Sequence, residues 1–230
     1  MSYFFLFIAV VSILLTSIIS LIPLGWVSQG DISDMYITSI TPAGFTFSIW
    51  SIIYISWILL GLYSIYYNKW WKKYLLLAGS IFLSVIWLLP WHYDIIWLSL
   101  VIMAGIFWSL VYIFLRKAYK DKYFQYTLEL YLWWILVAFI ANIHIFLVSV
   151  NIYTFPIFFT FVSFIIWLTL LSYSINTHKS FIPSYVFLWA LFGIYTNQNN
   201  TLIEVWAIIS ALILVTIIAR KHPQTSHIFR

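Results

Sequence analysis

A chain of 230 residues in which 64% are apolar and only 7% charged, with a mean hydropathy of +1.02, cannot cover itself with a water-facing surface. That composition excludes a soluble globular domain and assigns an all-α fold, a polytopic bundle of transmembrane helices. The absence of cysteine excludes disulfides, thiolate metal sites and cysteine nucleophiles. Apolar runs of roughly 17 to 25 residues, long enough to cross about 30 Å of hydrocarbon, recur about eight times. The first runs from Tyr3 to Leu24 and lacks the basic flank and small-residue cleavage site of a signal peptide, so it reads as a span. Further spans are expected at Gly44 to Tyr66, Tyr74 to Trp91, Ile95 to Leu115, Thr127 to Val150 and Phe155 to Ser174. The seventh, Ile182 to Thr196, is short and begins at Pro183, which suits a first helical turn but also a re-entrant or tilted segment. The eighth is Leu202 to Ala219.

Lys and Arg concentrate in the cytoplasmic loops of membrane proteins. With the amino terminus inside, the inner connections hold Lys69, Lys72, Lys73, Arg116, Lys117, Lys120, Lys122 and Lys179, and the tail holds Arg220, Lys221 and Arg230, which is all 11 basic residues. Asp31, Asp34, Asp94 and Glu204 fall on the outer side. The expected location is therefore the cell membrane, with both termini cytoplasmic. The net charge of +5 reports orientation and contact with anionic lipid, and no nucleic acid partner is implied. There is no linker, repeat or phosphate-binding loop, so one continuous membrane domain is expected. The longest connection, between Gly25 and Ala43, carries Asp31, Asp34 and Pro42, and long loops tend to be functional.

Ionisable groups held deep in a membrane mark proton- or ion-coupled transport, and these spans carry almost none. Glu129 is placed in the first turn of the fifth span, where the helix dipole and the interface tolerate a carboxylate, and reads as structural. Aromatic residues make up 22% of the chain, including 14 Trp. Trp70, Trp71, Trp91 and Trp97 lie near span boundaries and suit headgroup anchoring. Deeper, Phe47, Trp50, Tyr54 and Trp57 share one face of the second span, and Ser80, Ser84, Trp87 and Trp91 share one face of the third. Trp134, Ala138 and Asn142 are stacked four apart on the fifth. Such stripes are more often helix-packing surface than ligand cage, and small residues such as Ala138 also fit close helix contact, so spacing alone leaves the two readings open. Ala104 and Gly105 likewise permit a homodimer without requiring one.

The stretch Thr41 to Tyr54, Thr-Pro-Ala-Gly-Phe-Thr-Phe-Ser-Ile-Trp-Ser-Ile-Ile-Tyr, resembles the signature that opens the second helix of the TspO/translocator protein family, the tryptophan-rich sensory proteins. Trp87 with Trp91-His92-Tyr93, and Trp134 through Ala138 to Asn142, match in order and spacing. The resemblance covers about Met1 to Val150, the five-helix core, while residues 151–230 resemble the extra helices of extended members. It implies that the second, third and fifth helices, lidded by the first loop, enclose a pocket for a tetrapyrrole, sterol or similar flat hydrophobic ligand. Pro42, Phe45 and Phe47 would shape its rim, and Trp50, Tyr54, Ser84, Trp87, Trp91, Trp134, Ala138 and Asn142 would line it. The family usually has Trp where Phe45 stands and Asn where Ser84 stands, which leaves a different lipid or pigment open as ligand.

No cofactor is required by these residues, but a porphyrin or haem is compatible with them. His144, two residues from Asn142, is the residue able to meet a haem iron, although a lone membrane histidine more often satisfies a neighbouring helix. His92, in the outer turn, is expected to be the better exposed. The leading reading is a non-enzymatic binding protein with a sensing or regulatory role. The alternatives are a light- or oxygen-dependent porphyrin-modifying enzyme and a transporter of hydrophobic small molecules.

Overall fold

The computed structural model describes residues 2–22, 29–69, 72–116, 121–178 and 180–225. Trp70, Trp71, Lys117, Lys120, Lys179 and Arg230 lie outside these residues, as do the side chains of Arg220 and Lys221. With no water in the bilayer core, a spanning backbone must satisfy its own hydrogen bonds, and helices do so within one segment. The described residues accordingly form nine α-helices and no strands. They are α1 (Ser2–Leu21), α2 (Gln29–Met35), α3 (Ile49–Tyr66), α4 (Lys72–His92), α5 (Ile96–Leu115), α6 (Lys122–Ser149), α7 (Pro156–His178), α8 (Ile182–Asn197) and α9 (Thr201–Thr225). Among the described residues seven helices are long and apolar enough to cross a membrane. The exceptions are α2, with 7 residues, and α8, with 16. The chain is an integral, multi-pass membrane protein.

Several boundaries differ from the sequence expectation for local reasons. The second span opens with a 3-10 turn, Gly44–Ser48, before the α-helix proper begins at Ile49. The fifth starts more than a turn earlier than expected, because Asp121 caps it by accepting from the Tyr123 and Phe124 amides at 3.1 and 3.4 Å. Glu129 therefore sits two turns into α6, fully buried, and Gln125 Nε2 donates to its Oε1 at 2.7 Å. This corrects its placement in the first turn. The connection between α4 and α5 is short enough to need a left-handed residue, and Asp94 supplies it at φ 56°.

The chain divides into two compact units, residues 1–37 with 47–152, and residues 38–46 with 153–230. In the first unit α1 packs on α3 and α4, α4 on α5, α5 on α6, and α6 back on α3, so five helices close into a ring. Gly61 of α3 lets α1 approach closely, since a β-carbon there would stand 2.8 Å from Leu6 Cδ1. At one end of the ring, Ile32 of α2 joins Trp91, Ile96 and Ile145 in a buried apolar cluster. Tyr36 fixes the same segment by donating to Asp94 at 2.9 Å, and burial together with that carboxylate raises the Tyr36 phenol above its ordinary pKa. At the other end Lys69 pairs with Asp121 at 3.0 Å.

In the second unit α7, α8 and α9 pack against one another. Phe164, Trp167 and Phe187 fill its centre, with ring centroids 5.4 and 5.6 Å apart along the series. The segment 38–46 belongs to this unit and lies on α8.

Candidate functional site

A cavity of about 430 Å³ lies inside the five-helix ring, within the 300 to 1,000 Å³ typical of small-molecule sites. All five helices contribute. From α3 and the turn before it come Phe47, Trp50, Tyr54 and Trp57, the stripe whose three- and four-residue steps put them on one face. Helix α4 supplies Ile81, Ser84, Trp87 and Leu88, α5 supplies Met103 and Ile106, and α6 supplies Ile135. Helix α1 adds Thr16, Ser17, Ser20 and Leu21.

The aromatic wall is held from behind. Trp57 is 1% exposed and meets Tyr131 of α6 edge-on at 5.0 Å, while Trp50 lies 5.7 Å from Tyr54 and 6.2 Å from Tyr131. Tyr131 donates to the Ser80 carbonyl at 3.0 Å and shares a short hydrogen bond with Ser84, so the Ser84 hydroxyl at the wall is fixed from α6. Ser80 in turn shares a hydrogen bond with Ser109 of α5 at 2.7 Å. Across the cavity Tyr54 is hydrogen-bonded to Thr16 of α1. A ligand therefore meets rings and aliphatic carbons over most of the surface, with hydroxyls on α1, α3 and α4. The lining contains no charged side chain.

Of the residues singled out from the sequence, Phe47, Trp50, Tyr54, Ser84 and Trp87 come together at this cavity. The others sit elsewhere. Trp91 is buried in the apolar cluster with Ile32, its ring tilted against that of Trp87 at 5.1 Å. Trp134 is 1% exposed and supports Phe47 edge-on at 6.1 Å. Asn142 accepts from Ser99 Oγ of α5 at 3.1 Å and donates to the Ala138 carbonyl of its own helix at 2.9 Å, so its amide ties α6 to α5, and Ala138 is absent from the cavity lining. Pro42 and Phe45 lie in the segment on α8, where Phe45 packs on Trp189 and Phe192 at 5.6 and 5.5 Å. Neither belongs to the cavity lining.

Of the histidines, His92 differs from expectation. His92 is 2% exposed, not open to the outer turn, because its Nδ1 donates back to the Leu88 carbonyl at 2.8 Å. His144 is 2% exposed and stands outside the lining. Sequence reasoning missed the α1 contribution altogether. The available signal was a set of hydroxyls in an otherwise apolar run, Ser12, Thr16, Ser17 and Ser20, recurring at three- and four-residue steps.

The fold and cavity together define a class, a multi-pass membrane protein in which a ring of five helices carries an aromatic-walled cavity. The family model described as TSPO-like protein matches residues 2–220, nearly the whole chain. The chain belongs to that family, with α7, α8 and most of α9 inside the matched region. No curated protein and no solved structure matches it.

Proposed function

We propose that this protein binds a flat, uncharged or weakly polar hydrophobic ligand of tetrapyrrole or sterol size in the aromatic cavity, in a sensing or regulatory role. The observation that carries the reading is the coincidence of Phe47, Trp50, Tyr54 and Trp87 with Ser84 around one void of about 430 Å³. Rings on several walls favour a planar apolar ligand, and a few hydroxyls are enough to orient it. Carboxylates of a porphyrin would find no cation on this wall, so the macrocycle would seat with its acid groups outside the chamber. The basic sorting of the loops supports a cell-membrane location with both termini in the cytoplasm.

The test is intrinsic fluorescence of purified protein titrated with protoporphyrin and, separately, with a sterol probe. Trp50→Ala and Trp87→Ala should each weaken binding about tenfold or more, as loss of a buried aromatic contact does. Saturable binding that neither substitution alters would remove the cavity assignment, and absence of binding to either probe would remove the ligand class.

A further inference from the structure

The hydroxyl that α4 brings to the cavity wall is not free to take either role in a hydrogen bond. Ser84 is half-buried on the lining, and two acceptors compete for its proton. One is the Tyr131 oxygen of α6, with which it shares the short hydrogen bond. The other is the Ser80 carbonyl one turn back on α4, at 3.2 Å. Tyr131 is completely buried and has a matching choice, the Ser84 oxygen or the Ser80 carbonyl at 3.0 Å. The Ser80 hydroxyl does not relieve the set, being engaged with the Leu76 carbonyl at 3.0 Å and with Ser109 at 2.7 Å.

A serine or tyrosine hydroxyl carries one proton, so the ways of filling these contacts can be counted. Either Tyr131 donates to the Ser80 carbonyl and Ser84 to Tyr131, or Tyr131 donates to Ser84 and Ser84 to the carbonyl. Each arrangement uses both protons and makes two internal hydrogen bonds. In each, the Ser84 proton points into protein and an Oγ lone pair remains for the cavity. Turning that proton toward a ligand leaves one internal bond, and around the buried Tyr131 no water replaces the one lost. Accepting from a ligand leaves the network intact, whereas donating to one breaks it.

We propose that Ser84, with Tyr131 as its positioning residue, determines specificity by selecting a neutral hydroxyl on the ligand, which makes the ligand a lipid alcohol. A ketone or ether oxygen at Ser84 meets a lone pair instead of a proton, and an ionised carboxylate, which only accepts, is repelled. A protonated amine finds no carboxylate on the lining. The N–H groups of a porphyrin point to the centre of its ring and reach no wall residue. An alcohol at the edge of an apolar skeleton fits both the acceptor and the uncharged aromatic walls. The ligand class rests on the binding function proposed above, while the allocation of the protons does not.

Purified protein in lipid nanodiscs is titrated with dehydroergosterol, a sterol alcohol that accepts energy from tryptophan, and with its methyl ether, which keeps the oxygen and loses the proton. The corresponding ketone, which loses the proton without added bulk, is measured by displacement. The alcohol should bind about fivefold tighter than either, the scale of one net hydrogen bond. Ser84→Ala should weaken the alcohol about fivefold and leave the ether and ketone within about twofold, and Ser84→Thr should keep the preference. Tyr131→Phe frees the Ser84 proton, so the ketone should come within about twofold of the alcohol. A merely structural role for Tyr131 would weaken all three together. Without ligand, the double variant Ser84→Ala, Tyr131→Phe should melt with Tyr131→Phe alone, because the two substitutions remove the bond they share. Additive melting losses, a wild type that does not prefer the alcohol, or a preference that survives Ser84→Ala each overturn the proposal, and the cavity assignment then stands or falls on Trp50→Ala. Non-additive melting in a wild type that binds neither sterol nor protoporphyrin overturns the binding function, and the ligand class with it.

Discussion

Asn142 and Trp50 show how side chains that a family motif groups together can have separate tasks. Trp50 faces the void, whereas the Asn142 amide is used up between Ser99 on the neighbouring helix and the Ala138 carbonyl on its own. Asn142→Ala should therefore lower thermal stability in detergent by about 1 kcal/mol, the scale of an interhelical hydrogen bond in a membrane, and leave the affinity of a cavity ligand within about twofold. Trp50→Ala should do the reverse. Paired melting and fluorescence titrations check this, and an Asn142→Ala protein of normal stability and lost affinity would return the amide to the site. The α3 stripe was legible in the sequence because its repeat equals the helical period. Asn142 was not, since the spacing along one helix says which face a residue shares and nothing about the Ser99 hydroxyl opposite. The hydroxyls of α1 escaped for a related reason: Ser and Thr satisfy themselves on their own helix in any span, so Thr16, Ser17 and Ser20 look no different from lipid-facing residues until the partner helices are in place.

At the level of elements, span lengths were readable because hydrocarbon thickness fixes them, and their ends were less so because caps and short turns decide those. Asp121 illustrates this: one capping carboxylate starts α6 ahead of its apolar run and also ties α6 to the connection before α4 through Lys69. Burial works against the Asp121 charge, but the hydrogen bond from Lys69 and those from the Phe124 and Tyr123 amides outweigh it and hold the carboxyl below its ordinary pKa. Lys69 is held above its ordinary value by its hydrogen bonds to the Tyr63 hydroxyl and to Asp121. A depressed acid contributes stability that is complete above its unfolded pKa, about 3.9, and is lost as the pH falls through the lower folded value. The raised lysine contributes below about 10.4 and loses its contribution as the pH climbs through the higher folded value. The melting temperature should thus be flat with respect to this pair from about pH 5 to 9 and fall in acid, and Asp121→Asn should lower the plateau and shrink the acid fall. An acid limb identical in Asp121→Asn would assign it to other groups. The α1–α3 contact makes a second test. Gly61→Val drives a side chain into Leu6 and should destabilise the fold by about 1 to 3 kcal/mol, as overpacking does, with ligand affinity falling because α1 carries Thr16, Ser17 and Ser20 to the cavity. Leu6→Ala should recover part of both losses, and melting curves of the single and double variants measure how much.

On the scale of the whole chain, the number of crossings hinges on α8. Its 16 residues make a rod of about 24 Å at 1.5 Å per residue, short of the roughly 30 Å of hydrocarbon. Length alone argues against a full crossing, and charge argues for one. Lys179 precedes α8, and Arg220, Lys221 and Arg230 follow the start of the last stretch of α9 or lie beyond it. If α8 crosses, α9 returns the chain and all four basic residues lie on one side. If α8 does not cross, α9 alone carries the tail to the face opposite Lys179, and the basic residues are split across the membrane, against the bias that orients most such proteins. The second outcome costs more, since a local thinning of the bilayer or the polar flanks of Ser180 and Gln198 absorb a mismatch of a few ångströms at a fraction of a kcal/mol per ångström. The Cys-free chain allows a direct measurement, with thiols placed at the exposed positions Thr177 and Asn199, on either side of α8. Asn199→Cys should react with a membrane-impermeant maleimide added outside intact cells, and Thr177→Cys only after permeabilisation. Equal reactivity of the two from one side would mean that α8 turns back within the membrane, that the described spanning helices number seven, and that the termini face opposite compartments.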